Sequence, residues 1–411
     1  MKNNNIKLIQ IISILIVIVT TWGCSSQDSY DVIIKNGQII DGSGSVSFEG
    51  DIGINADTIA AIGNLKNAKA TQVIDASGLV VAPGFINMLS WAGETLIVDG
   101  NAESDIRQGV TLEVLGEGWS MGPLNDKMKA DTEMAYFSQF DIDIQWTTLG
   151  EYLQYLEDNG VSVNVSSFVG ATTLRLHEIG EIDREPTMEE LSRMKQLAAE
   201  AMEEGAMGIS TSLIYAPASF SKTDELIELC KSVSEYNGMY ISHLRSEGDR
   251  WLEGIDELIQ IAREANIDAE IYHLKLAGKH NWYKYDAGIR KIDSARNAGL
   301  KITTDMYNYT AGATGLNASI PRWVEDGGYK ELVRRLQIPE IRKKVAEEMK
   351  KKGEGWENLY FAAGNPDNIV FSSFNNDSLK YLIGKSLGDV AKIRGCSPEE
   401  TAMDLIVQDG S

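Results

Sequence analysis

The sequence predicts an α/β protein: a (β/α)8 barrel of the TIM type, incomplete with its last strand missing, behind a small N-terminal β-sandwich domain. Three observations lead there. Residues 30–84 read as short alternating strands broken by turn residues. From Phe85 onward, continuous apolar strands alternate with amphipathic helices in units of roughly thirty residues. About seven such strands can be counted before the pattern stops, against the eight of a closed barrel.

The bulk numbers fit one large barrel or a few smaller domains. The chain has 411 residues, of which 43% are hydrophobic and 24% charged, ordinary for a globular protein. Lys and Arg total 38 against 60 Asp and Glu, a formal charge of -22. Such a surface repels phosphate backbones, which argues against nucleic acid as a partner. The 3 cysteines do not make a disulfide framework.

The chain opens on an address. Lys2 and Lys7 flank a polar start, and Ile11 to Thr20 is an almost unbroken apolar run. That run is short for a mature membrane span but suits the core of a signal peptide over residues 1–23. Gly23-Cys24-Ser25-Ser26 has the look of a lipoprotein cleavage site, with Cys24 the lipidated first residue and 24–29 a linker. The expectation is an exported protein of the bacterial cell envelope, touching the membrane only through that anchor. Trp22, where a small residue is usual, keeps plain secretion as the alternative.

Residues 30–84 come next. Asp31 to Lys35, Asp51 to Asn55 and Thr71 to Asp75 read as strands, and Asn36-Gly37, Asp41-Gly42 and Ser77-Gly78 as turns. This is the first part of the sandwich. After Pro83-Gly84 the barrel occupies 85–411. Thr187 and Glu190 form a capping box; Leu191, Met194, Leu197, Ala198 and Ala201 share one helical face, and Gly205 marks the stop. Strand Met207–Ser212 follows, then a helix from Thr223, strand Met239–Leu244, helix Trp251–Ala265, strand Ala269–Leu276, helix Ile289–Ala298 and strand Lys301–Tyr309. Continuous apolar strands between helices mean a parallel sheet with helices outside. The polar, partly helical stretch at about 315–365 reads as an insertion in a barrel loop, and Gly384–Val407 as a returning helix. No eighth strand is recognisable before Ser411, which suggests an incomplete chain.

Of the 4 histidines, His243 and His273 echo each other. Ser242-His243-Leu244-Arg245 and Tyr272-His273-Leu274-Lys275 close successive strands. Neighbouring strands run about 5 Å apart, so the two imidazoles can meet at one ion. The period of two puts Arg245 and Lys275 on the inward face with them. Asp305 and Tyr307 take comparable places on the next strand. A satisfied core histidine is the ordinary reading of either alone; a matched pair at strand ends beside a cation and a carboxylate favours a site. His177 and His280 read as surface residues.

Several long stretches carry a resemblance. Ala82-Pro83-Gly84-Phe85-Ile86-Asn87 resembles the start of an amidohydrolase barrel. Glu204-Gly205-Ala206, Ser210 to Tyr215, Ser242 to Asp249, His273-Leu274-Lys275 and Asp305 to Gly312 resemble the N-acyl-D-amino-acid deacylase family of that superfamily. The resemblance implies hydrolysis of a linear amide, most simply of an N-acyl-D-amino acid, by water activated on one divalent metal ion, usually zinc. It implies His243 and His273 as ligands, and Lys275, Tyr215 and Tyr307 as the grip on the substrate carboxylate; Arg245, turned inward by the strand period, is counted with them as substrate-binding.

The chain departs from the family in four places. Leu89-Ser90-Trp91 stands where a His-x-His pair is expected, which argues against a second metal. Gly116-Glu117-Gly118 replaces the usual cysteine ligand, making Glu117 the candidate third ligand, since carboxylates serve zinc well beside two histidines. Ala171 replaces a histidine. The family's catalytic aspartate is expected beyond Ser411, so no catalytic acid–base is assigned within the chain and this length alone is expected to be inactive. A different amidohydrolase, acting on a cyclic amide or an acylated envelope fragment, and a lipid-anchored pseudoenzyme are the competing readings. Oligomeric state is not legible.

Overall fold

The computed structural model describes residues 28–137 and 142–410; the predicted signal segment and Cys24 lie outside them. The chain divides into two compact units, up to Gly84 and from Phe85 on. Among the described residues no helix is long and apolar enough to cross a membrane.

The first unit is one five-stranded sheet. Strands β1 (Ser29–Ile39), β2 (Phe48–Asn55), β3 (Thr58–Gly63), β4 (Lys69–Asp75) and β5 (Val80–Val81) take the order β3-β2-β1-β4, with β5 also on β1. Ile33, Ile39 and Ile52 form its buried face. Asn36-Gly37, expected as a turn, lies inside β1, where the register with β2 shifts between Ile34 and Gly37. Asn36 has φ 59°, so the pair makes a bulge and not a reversal. Asn36 is held there by its side-chain amide, which donates to Asp75 Oδ1 at 3.0 Å.

The second unit carries the barrel strands. Parallel strands β6 (Phe85–Asn87), β7 (Val110–Leu115) and β8 (Asn164–Ser167) make one sheet; β9 (Val169–Gly170), β10 (Gly208–Ser212), β11 (Met239–His243), β12 (Asp268–Ile271) and β13 (Ile302–Thr304) make another. β8 and β9 are one strand broken at Phe168, whose amide still bonds the Leu115 carbonyl at 3.0 Å. Its ring joins Val114, Ile241 and Tyr272 in the barrel interior. The fold is an incomplete (β/α)8 barrel, with β6 and β13 as its edges among the described residues.

The helices cover the outside as their periodicity requires. Met188–Glu203 starts at a two-way capping box between Thr187 and Glu190 and buries Met194, Leu197, Ala198 and Ala201. Thr223–Ser234 buries Leu226, Leu229, Cys230 and Val233, and Trp251–Glu264 buries Trp251, Ile255, Leu258 and Ile261. The strands are shorter than the sequence suggests. β12 ends at Ile271 and β13 at Thr304, because beyond those points the chain turns away to build loops.

The expected insertion at about 315–365 and the helix expected over 384–407 belong together. Ile320, Leu336, Val345, Phe371, Leu387 and Ile406 share a second apolar core, so the boundary near 365 falls inside one helical module. Gly395, in the left-handed region at φ 68°, splits the expected helix into Leu387–Arg394 and Pro398–Asp409.

Candidate metal centre

Glu117 reaches the barrel mouth because of the two glycines around it. Gly116 and Gly118 have φ of 95° and 67°, a region costly for other residues. A Cβ on Gly118 would come within 2.2 Å of Ser212 Oγ, and one on Gly116 within 2.4 Å of the Phe168 carbonyl. The loop after β7 therefore lies against β8–β10. Gly118 N donates to Ser210 Oγ at 2.9 Å, and Glu117 is directed inward and buried.

The histidines arrive from neighbouring strands. Ser212 pairs with His243 across β10 and β11, and His273 stands just past the end of β12. His273 adopts φ 37°, a strained conformation for a residue with a Cβ. Asp305 secures it by accepting its backbone N–H at 2.6 Å. The two imidazoles meet edge to face, with centroids 4.5 Å apart.

Glu117 Oε1 lies 3.1 Å from His243 Nδ1 and 3.4 Å from His273 Nε2. One potential ligand atom from each of the three residues falls within 4.8 Å of the other two, the one such group among the described residues. Burial by itself raises the Glu117 pKa, but the two histidines outweigh it and bring the carboxyl below its usual value. For His273 burial works against the charge, and the facing Glu117 and Glu247 overcome it, raising the imidazole to about 9. His243 Nε2 is buried without a hydrogen-bond partner. Two nitrogens and a carboxylate oxygen, converging where a cation would relieve their crowding, fit a divalent ion with an open coordination position.

Lys275, Tyr215 and Tyr307, expected to hold a carboxylate, gather around this group. Lys275 Nζ stands 5.4 Å from the Tyr307 ring centre, Tyr307 lies 6.2 Å from His273 and Tyr215 5.4 Å from His243. Tyr215 Oη is 2.9 Å from Thr314 Oγ1. Burial pushes both phenols up to about 12, so near neutrality they are donors and not phenolates.

Arg245 departs from the expectation. Its Nε and Nη2 hold Glu257 at 2.8 and 2.9 Å, while Nη1 and Nη2 donate to the Ser219 and Ser221 carbonyls at 3.2 and 2.9 Å. The period-two argument fails because β11 ends at His243, and Arg245 in the following loop turns to the helix Trp251–Glu264. His280 pairs with Asp249 at 3.1 Å on the surface and His177 with its neighbour Glu178 at 2.8 Å. Of the residues at the missing His-x-His pair, Leu89 packs on the interior cluster and Trp91 is 67% exposed. Ala171 is buried at the start of the helix Ala171–Glu178.

One residue of the site lies within the Ser242–Asp249 stretch that carries the resemblance but is given no role by it. Glu247, in the loop after β11, places Oε1 2.6 Å from Lys275 Nζ and 3.0 Å from His273 Nδ1. Against the cost of burial, His243, His273 and Lys275 hold this carboxyl well below the ordinary range.

No family model matches the chain. Among curated proteins it is 35% identical over 296 residues to a D-aminoacylase of Alcaligenes xylosoxydans xylosoxydans, covering 71% of this chain and 60% of that protein. It is 32% identical to the N-acyl-D-glutamate deacylase of the same organism, over 70% of this chain and 59% of that one. The chain thus spans about 60% of the length of the curated relatives it matches. A D-aminoacylase crystal structure, described as defining a novel subset of amidohydrolases, superposes with TM-score 0.70 at 27% identity, covering 92% of this chain and 70% of that one. The N-acyl-D-glutamate deacylase of Bordetella bronchiseptica, in complex with zinc and a phosphonate mimic of the tetrahedral intermediate, superposes with TM-score 0.72 at 26% identity and the same coverages.

Proposed function

We propose that this chain, a relative of the N-acyl-D-amino-acid deacylases of the amidohydrolase superfamily, is part of an enzyme that hydrolyses the linear amide of N-acyl-D-amino acids. The buried group Glu117–His243–His273 beside Lys275 carries the reading. A divalent ion held by these three residues, zinc in this reading, supplies Lewis acidity to the amide carbonyl and to water.

The chain's own residues do the rest. Lys275 Nζ, with Tyr215 Oη and Tyr307 Oη as neutral donors, holds the substrate carboxylate and so orients the amide toward the histidines. Arg245, tied to Glu257, supports the loop and does not touch the substrate. Asp305 keeps His273 in its strained turn.

Zinc content and the release of amino acid from N-acetyl-D- and N-acetyl-L-amino acids test the reading. Metal-dependent release from the D series supports it; a protein with no bound metal, or one equally active after chelation, removes it.

Export belongs to the same proposal. The charged start, the apolar run to Thr20 and Gly23-Cys24 support a lipid-anchored, periplasm-facing protein. Fatty-acid labelling of the expressed protein, abolished by Cys24→Ala, is the expected result; labelling that survives the substitution is against it.

A further inference from the structure

We infer that Glu247 is a positioning residue that fixes both imidazoles of the metal centre and couples them to Lys275. The inference rests on the metal-binding reading above.

Each ring has one nitrogen on the Glu117 side and one on the Glu247 side. Toward Glu117 lie His243 Nδ1 at 3.1 Å and His273 Nε2 at 3.4 Å. Toward Glu247 Oε1 lie His273 Nδ1 at 3.0 Å and His243 Nε2 at 3.7 Å. An imidazole that offers a lone pair to a cation must carry its proton on the other nitrogen, and that N–H needs an acceptor. One buried carboxylate faces both such positions. It is also the carboxylate nearest to the otherwise unpartnered His243 Nε2 among the ion pairs of that ring.

The same oxygen holds Lys275 at 2.6 Å, while Lys275 Nζ is 2.9 Å from His273 Nδ1. A cation on His273 Nε2 leaves the proton on Nδ1, so Nδ1–H and the Lys275 ammonium are both donors and share Glu247 Oε1 as their acceptor, at 3.0 and 2.6 Å. Glu247 thereby connects the filling of the metal centre to the anion grip.

Zinc affinity, measured by competition with a chromophoric chelator, and the visible spectrum of the cobalt-substituted protein test this without reference to activity. Glu247→Gln is expected to weaken zinc binding by roughly 10–100-fold and to shift the cobalt bands, with Lys275→Met changing zinc affinity far less. Wild-type affinity and spectrum in Glu247→Gln overturn the inference, as does an equal loss in Lys275→Met, which would make Glu247 only a counter-ion. Should Glu247→Gln not fold, Glu247→Asp decides. With its carboxylate drawn back, it is expected to bind more weakly, with shifted bands, and unaltered values overturn the inference. A wild-type protein that binds no zinc overturns the metal centre itself and this inference with it, so the two failures are told apart by the wild-type titration.

Discussion

Glu117 Oε1 meets His243 Nδ1 at 3.1 Å across 126 residues of chain. The contact depends on Gly116 and Gly118, whose positive φ angles let the loop lie against Ser212 and Phe168. Glu117→Ala is therefore expected to lower zinc affinity by more than about 100-fold, beyond the effect typical of an outer-shell partner. Glu117→Cys is expected to retain binding, because a thiolate is a good zinc ligand. Equal affinities in wild type and Glu117→Ala would remove Glu117 from the ligand set.

The metal-free protein should lose stability toward alkaline pH. His273 is raised from its ordinary 6.5 to about 9 by facing carboxylates that outweigh burial. A raised folded-state pKa contributes stability that is complete below the unfolded value and is lost as pH rises through the folded one. The melting temperature without metal should therefore fall between about pH 6.5 and 9. Zinc needs the imidazole neutral, so its affinity should rise over the same window. A flat melting temperature between pH 6.5 and 9.5 would show that His273 is not held charged.

Lys275 and Arg245, two residues past equivalent histidines, should behave differently. Lys275 faces the histidines, whereas Arg245 is committed to Glu257 and two carbonyls. In the enzyme of which this chain is proposed to be part, Lys275→Met is expected to raise KM for an N-acyl-D-amino acid roughly 10-fold or more, the worth of a charge-assisted hydrogen bond. Its effect on an uncharged amide analogue should be small. Arg245→Ala is expected to leave KM nearly unchanged and to cost about 2 kcal/mol of stability in denaturant titration, from the unpaired Glu257 and carbonyls. A large KM effect in Arg245→Ala with full stability would return it to the substrate.

These two residues also mark how far the sequence could be read. His243 was legible because it closes β11, where alternation is a strict geometric rule, whereas His273, two residues past the end of β12, was legible through the repeated His-Leu-cation sequence one βα unit on. Alternation expires at the last paired residue, and β11 ends at His243, so Arg245 fell outside its reach. Glu247, though part of the Ser242–Asp249 stretch, received no role for the same reason: it sits in a loop with no period, and a carboxylate four residues after a histidine signals nothing by itself. The Thr187 capping box and the helix it starts were read correctly because both are local. The helical core joining Ile320 to Ile406 was missed because it depends on pairing across residues whose polarity, taken locally, resembles an insertion.

Arg175 and Glu225 provide a stability test away from the metal. Their side chains are 0% and 3% exposed, with Nη1 2.9 Å from Oε2. Arg175 also donates to the carbonyls of Ile182 and Arg184, and Ser221 Oγ donates to Glu225 at 3.0 Å. Removing one partner strands a charge that burial makes expensive, so Glu225→Ala is expected to cost about 3–5 kcal/mol. Replacing both with apolar residues of similar volume, Arg175→Met with Glu225→Leu, removes the desolvation cost along with the attraction and should cost much less than the single change. It will not be free, because the Ile182 and Arg184 carbonyls lose their donor. Urea titrations of the wild type, the single variant and the double variant decide the matter. A single variant within about 1 kcal/mol of wild type, the range of an exposed pair, would mean that water reaches Glu225 and that the pair is not buried as described.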